Sequence, residues 1–165
     1  MPINGCNRVV VGISDMKISS NPNDYIVTYS LGSCLGVTVY DPVIKVAGMI
    51  HCMLPISSID TEKAKKEPYM FVDTGLPILL NKMFDYGADK KRLIIKIAGC
   101  ASILDDKGLF KIGERNLTVA RKLLWKNSIL IKAVDAGGAV SRTLSIDVST
   151  GTVVIKSKGV ERELV

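Results

Sequence analysis

Residues 24–55, DYIVTYSLGSCLGVTVYDPVIKVAGMIHCMLP, decide how this chain is read. β-Branched and aliphatic residues flank Leu31-Gly32-Ser33-Cys34-Leu35-Gly36, a pattern that predicts strands joined by a glycine-bearing turn. The two glycines let the backbone bend sharply and approach a ligand closely, as a nucleophile carried on a turn requires. Val46-Ala47-Gly48-Met49-Ile50-His51 predicts a strand that ends on the single histidine of the chain. The turn chemistry of Tyr40-Asp41-Pro42-Val43-Ile44-Lys45 makes residues 37–40 and 46–53 a hairpin, which draws Cys34 toward His51 while leaving the register open.

Outward from this stretch, residues 8–13 predict a first strand and Ser19-Ser20-Asn21-Pro22-Asn23 a turn. The polar residues 57–68 read as a loop on the rim of a site. A helix is expected to open at Pro68, because Tyr69, Val72, Leu76, Leu79, Leu80 and Met83 recur at helical spacing up to Gly87. Pro77 within it is expected to kink or split the helix. Residues 92–98 predict a strand, Asp105-Asp106-Lys107-Gly108 a turn, residues 114–127 a second helix and residues 129–134 a further strand. Residues 144–148 and 152–156 predict a closing hairpin turned by Ser149-Thr150-Gly151. Two main helices cannot cover both faces of about seven strands, so an α+β domain with largely antiparallel or mixed sheet and helices layered on one side is expected.

The length of 165 residues fits a single domain over residues 1–165. Hydrophobic residues make up 47% and aromatics 5%, which predicts a core of Val, Ile and Leu, and 23% charged residues predict a soluble surface. The longest apolar stretch, residues 46–56, is interrupted and far short of the roughly 20 residues that span a bilayer. The N-terminal residues lack the pattern of a secretory signal, so a cytoplasmic protein that is not membrane-embedded is expected. Cys6, Cys34, Cys52 and Cys100 have neither CxxC spacing nor histidines to join them, so neither a zinc site nor a disulfide framework is supported. Cys52 and Cys100 in apolar strands read as small buried hydrophobes, Cys6 as a bystander. The net charge of +6 is scattered among carboxylates without interleaved aromatics, which argues against nucleic acid and leaves room for steering toward an acidic protein. Gly137-Gly138 lacks the spacing of a phosphate-binding loop.

The phrases LGSCLGVTVYDP and AGMIHCMLP resemble the signature of the chemoreceptor glutamine deamidase family, CheD. Tyr69 to Ala88, Ile112-Gly113-Glu114-Arg115-Asn116, and Asp135-Ala136-Gly137-Gly138 through Arg142-Thr143 are similar to further segments of that family, so the likeness runs from about Val11 to Ile155. The resemblance implies a layered α/β/β sandwich, Cys34 as nucleophile, His51 as its base and Thr28 as the third member. It also implies chemoreceptors as substrates and a CheC-type phosphatase as partner, with no cofactor. Cys52, after the histidine, and Gly36 are minor departures from the family pattern.

Deamidation of a glutamine side chain is acyl transfer, in which a thiolate attacks the amide carbon, ammonia leaves and water hydrolyses the thioester. A free thiol titrates near pH 8.5, about two units above imidazole, so Cys34 needs His51 as ion-pair partner or base. His51 needs an orienting acceptor, which Thr28 offers as hydroxyl or as backbone carbonyl, and both stay open. Backbone N–H groups around Gly32, Ser33, Cys34 and Leu35 are natural oxyanion donors. Against these readings, His51 can be a satisfied core histidine and Thr28 an ordinary strand residue. Arg115, Asn116 and Arg142 serve either substrate contact or helix capping and loop structure. Two classes of function follow: an amidohydrolase acting on receptor glutamines, and a non-catalytic chemotaxis adaptor that grips a receptor or a CheC-type phosphatase.

Overall fold

Between Leu31 and Leu35 the chain changes sheets. A computed structural model describes residues 6–103 and 111–165. In chain order the elements are β1 (Asn7–Val10), β2 (Asp15–Ser19), β3 (Asp24–Leu31), β4 (Leu35–Asp41), β5 (Val46–Cys52), α1 (Thr61–Lys66) and α2 (Val72–Asp85). Then come β6 (Ile94–Gly99), α3 (Ile112–Lys126), β7 (Ile131–Ala136), β8 (Arg142–Asp147), β9 (Val153–Ser157) and β10 (Val160–Glu163). An outer sheet has the order β1-β3-β8-β9-β10 and a central sheet the order β2-β5-β4-β6-β7. Among the described strands β1 with β3 and β6 with β7 pair in parallel and the other pairs are antiparallel, so both sheets are mixed and largely antiparallel.

The central sheet is covered on both faces, which is why β4 and β5 read as almost unbroken apolar runs. On one face Leu35, Val37, Ile50 and Cys52 pack with Leu76, Leu79 and Met83 of α2 and with Ala120 and Leu124 of α3. Alternation along the strands turns Tyr40, Ala47, Met49 and Ala98 to the opposite face, where they meet Ile26, Leu31, Leu144 and Ile146 of the outer sheet. Each large side chain buried in these two layers contributes about 2 kcal/mol relative to exposure. The arrangement is the α+β, α/β/β sandwich with two main helices that the sequence predicts.

Asp41 closes the β4–β5 hairpin. Its fully buried carboxylate accepts the N–H of Val43 at 2.9 Å, which makes the turn, and the Arg92 guanidinium at 2.8 Å. Burial alone would push this acid up, but Arg92 and three backbone N–H groups draw it down to about 2.

Several elements differ from expectation. Residues 57–68 contain the short helix α1, capped by the Asp60 side chain accepting from the Lys63 N–H. Pro68 opens a single 3-10 turn, Pro68–Met70, and α2 begins at Val72. Pro77 does not split α2, which runs unbroken to Asp85. The short strands β2 and β10, five and four residues long, are too brief for periodicity to reveal. The turn expected at 105–108 lies outside the described residues.

Candidate active site

His51 stands at the next-to-last position of β5, directly opposite Gly36 of β4 and Asp15 of β2. The parity that buries Ala47 and Met49 between the sheets also sends His51 there, and it is fully buried. Thr28, in the middle of β3, reaches it from the outer sheet: Thr28 Oγ1 is 2.7 Å from His51 Nδ1. The same hydroxyl donates to the Val11 carbonyl at 2.7 Å. A hydroxyl has one proton, so with that proton given to Val11 the Thr28 oxygen accepts from Nδ1–H. This assigns the tautomer and leaves Nε2 with its lone pair free, and Nε2 is buried without a hydrogen-bond partner. The contact is made by the threonine hydroxyl, one of the two possibilities that the sequence leaves open.

Cys34 lies in the corner between the sheets, half-buried, and packs on the apolar layer between them, the face on which His51 lies. Cys52 follows His51 in the chain but projects to the helix side of the central sheet, and with Cys100 it is buried in that core. Parity therefore separates the three thiols: one is accessible on the histidine side and two are enclosed on the other. Burial pushes the Cys34 thiol above its ordinary value, against a smaller opposing effect of its own N–H. Burial also holds the His51 imidazole down to about 4. Thiol and imidazole are thus both neutral in the free protein, and Nε2 is available as a base rather than as the cation of a preformed ion pair.

The corner is lashed down by its carbonyls. Gly32 O accepts from the Ala101 N–H at 2.8 Å, and Cys34 O from the Cys100 N–H at 2.8 Å. Ser33 O accepts from Asn116 Nδ2 at 3.0 Å. Among the described residues, no oxygen accepts from the N–H of Gly32, Ser33 or Cys34, so these donors are left for another acceptor. Leu35 differs from its neighbours: it begins β4, fully buried between Cys52 and Gly99. Gly99 permits this close packing, since a Cβ there would come within 2.3 Å of the Cys34 carbonyl oxygen and its φ is +102°.

Of the residues singled out by motif, Arg142 supports the corner from behind, donating to the carbonyls of Gly99 at 3.3 Å and Gly137 at 3.0 Å and pairing with Asp135. Arg115 lines an open groove of about 480 Å³ with Pro55, Ile56, Glu114 and Thr118. Asn116 is buried and bonds backbone, which excludes both helix capping and direct surface contact. Sequence reasoning missed the Val11 carbonyl and the Cys100–Ala101 lash, because backbone partners carry no residue signature. Among the described residues no group of three His, Cys, Asp or Glu side chains could hold a metal ion.

Fold and site define an α+β sandwich in which Thr28 bonds His51 between the two sheets and Cys34 lies on the same face, its thiol making no hydrogen bond to His51 Nε2. Residues 53–157 match the family model described as CheD chemotactic sensory transduction, and the chain belongs to the CheD family. The chain is 50% identical to the probable chemoreceptor glutamine deamidase CheD 1 of Syntrophus aciditrophicus, across 92% of this chain and 94% of that one. It is 42% identical to the probable chemoreceptor glutamine deamidase CheD of Pyrococcus horikoshii, across 88% and 90%. A solved structure, the hypothetical protein YfiH of Bacillus licheniformis, aligns with TM-score 0.48 at 16% identity over 74% of this chain and 49% of that one. Thr28, Cys34 and His51 precede the segment matched by the family model and fall where the full-length relatives carry the comparison.

Proposed function

We propose that the whole chain acts as one protein-glutamine deamidase on chemoreceptors in the cytoplasm, with Cys34 as nucleophile, His51 as base and Thr28 as the group that orients the base. The observation that carries the reading is the Val11–Thr28–His51 hydrogen-bond chain, which leaves Nε2 unprotonated on the face occupied by Cys34. The names of relatives at up to 50% identity over nearly the whole chain support the substrate class. Among the described residues no helix is long and apolar enough to cross a membrane.

A receptor glutamine side chain entering the corner brings its carbonyl carbon to Cys34. Because thiol and imidazole are neutral before substrate arrives, His51 Nε2 takes the thiol proton as the sulfur attacks. The oxyanion then formed meets N–H groups of the 32–34 corner that have no oxygen acceptor among the described residues. The imidazolium returns its proton to the amide nitrogen, the C–N bond breaks and ammonia leaves, with a thioester on Cys34. Water, deprotonated at Nε2, attacks the thioester, and the C–S bond breaks to give a glutamate side chain and the free thiol.

The groove bounded by Pro55, Ile56, Arg115 and Thr118 lies beside the chain segment following His51, and we assign receptor docking to it. A CheC-type phosphatase that regulates the enzyme would compete for this surface. The decisive experiment is ammonia release from a glutamine-containing receptor fragment. Turnover by wild type and none by Cys34→Ala supports the reading; substantial turnover by folded Cys34→Ala eliminates a cysteine nucleophile. Binding without turnover on every receptor fragment would make the chain an adaptor.

A further inference from the structure

We propose that Asn116 is a positioning residue whose carboxamide ties the segment carrying Cys34 to the segment carrying His51, and so sets the approach of thiol to imidazole. The proposal rests on the deamidase reading of that pair. Asn116 Nδ2 donates to Ser33 O at 3.0 Å and to Met53 O at 3.1 Å. Ser33 immediately precedes Cys34, and Met53 follows His51 by two residues. The β4–β5 ladder ends at the pair Leu35 with Cys52, and beyond it the Met53 N–H turns away to Met70 O at 2.8 Å. Asn116 thus supplies the next rung where the backbone ladder stops, and it does so between the nucleophile side and the base side.

Other features of the residue make sense only through those two bonds. Asn116 is fully buried inside α3, where asparagine is a poor helix former. Its Oδ1 is buried and has no partner. Reversing the amide would face Oδ1 toward two carbonyl oxygens, so the donors must point to Ser33 and Met53. An apolar residue would satisfy the packing without an orphaned acceptor. Asn116 comes from the helix side of the central sheet, opposite the face on which Cys34 and His51 lie, so it acts on the reaction through them.

The test uses the full chain with Asn116→Asp and Asn116→Ala, each checked for folding by circular dichroism and melting. Alanine removes both donors without adding charge; aspartate is nearly isosteric, opposes oxygen to oxygen when ionised, and regains one donor when protonated. The readouts are kcat and KM for ammonia release from a receptor fragment, and the rate of Cys34 alkylation by iodoacetamide, each against pH. We expect kcat to fall about 100-fold in both variants near pH 8, with KM within about twofold of wild type. Relative to wild type, the aspartate variant recovers both rates as pH falls and its carboxyl protonates, while the alanine variant does not. Wild-type kcat and alkylation in folded variants, a rise in KM alone, the same loss at every pH in both, or failure of both to fold would each overturn the proposal. If wild type releases no ammonia from any fragment, the deamidase reading fails and the alkylation ratios alone decide the role of Asn116.

Discussion

Thr28 and His51 belong to different sheets, and the 2.7 Å contact between Oγ1 and Nδ1 is a polar bond across the seam between them. The hydroxyl accepts from the imidazole only because the Val11 carbonyl takes its proton. The base is therefore oriented by a backbone group on the chain leading out of β1, relayed through one side chain.

Replacing that hydroxyl by a methyl group removes both bonds at nearly constant volume. Thr28→Val is expected to lower kcat about 100-fold, the scale of a misdirected general base. It also leaves the Val11 carbonyl and Nδ1–H unsatisfied, at about 2 kcal/mol in denaturant unfolding. Thr28→Ser should keep most of both. Wild-type kcat in Thr28→Val would remove the orienting role.

Nucleophile and base act as a unit, so their losses do not add. Cys34→Ala is expected to abolish ammonia release, His51→Gln to be nearly as damaging, and the double variant to be hardly worse than either. Receptor binding by Cys34→Ala should persist, because docking uses a surface wider than one thiol. Multiplicative losses in the double variant would mean that the two side chains act independently.

His51 gives stability a definite pH dependence. Its imidazole titrates near 6.5 when unfolded and about 4 when folded, so the unfolded chain binds more protons between these values. Stability is therefore fully present above 6.5, falls as pH drops toward about 4, and is then constant with respect to this group. The loss is about 3 kcal/mol at about 1.4 kcal/mol per unit. Urea unfolding at several pH values should reveal this slope in wild type and its absence in His51→Gln. A slope retained in the variant would place its origin elsewhere. Asp41, drawn down to about 2, acts only at lower pH.

Parity predicts an order of alkylation in the folded protein. Cys6 is exposed and should label first, Cys34 next, and Cys52 and Cys100 last. Burial pushes Cys100 up to about 12 and Cys52 higher still, so exclusion and protonation act together on both. Mass spectrometry of partially labelled protein reads the order. Equal labelling of Cys34, Cys52 and Cys100 under native conditions would contradict the placement of the thiols on opposite faces.

Arg92→Ala separates fold from site. It leaves the buried Asp41 carboxylate without its cation and should lower the midpoint of urea unfolding, by less than for a fully enclosed pair because Arg92 is partly exposed. Asp41 lies at the far end of β4 from the corner that holds Cys34, so kcat well below the melting temperature should be unchanged. A large fall in kcat without loss of stability would show that this hairpin end is coupled to the site.

The residues that were legible in the sequence are those whose signal is local. Asp41-Pro42 marked the β4–β5 hairpin, helical spacing marked α2, and Gly32 and Gly36 marked the corner. The two sheet layers follow from the family resemblance; what could not be read is which strand joins which sheet. Leu31 and Leu35 are both apolar strand residues, and nothing in their identity states that one pairs with Arg142 while the other pairs with Cys52. Asn116 stood out by motif, but its service to Ser33 spans 83 residues and is made to a backbone oxygen. The sequence leaves His51 open as ion-pair partner or base, and burial, which raises the Cys34 thiol and lowers the imidazole, favours the base; composition does not report how deeply a strand end will be enclosed.

The crossing from one sheet to the other is only three residues long, and every carbonyl in it is already committed. A segment so short cannot lengthen without pulling β3 or β4 out of register, so evolutionary latitude around this site must lie elsewhere. Residues 57–68 can vary in length and charge while the corner holds still. Differences in receptor choice should therefore be written around this short, fully bonded crossing rather than within it.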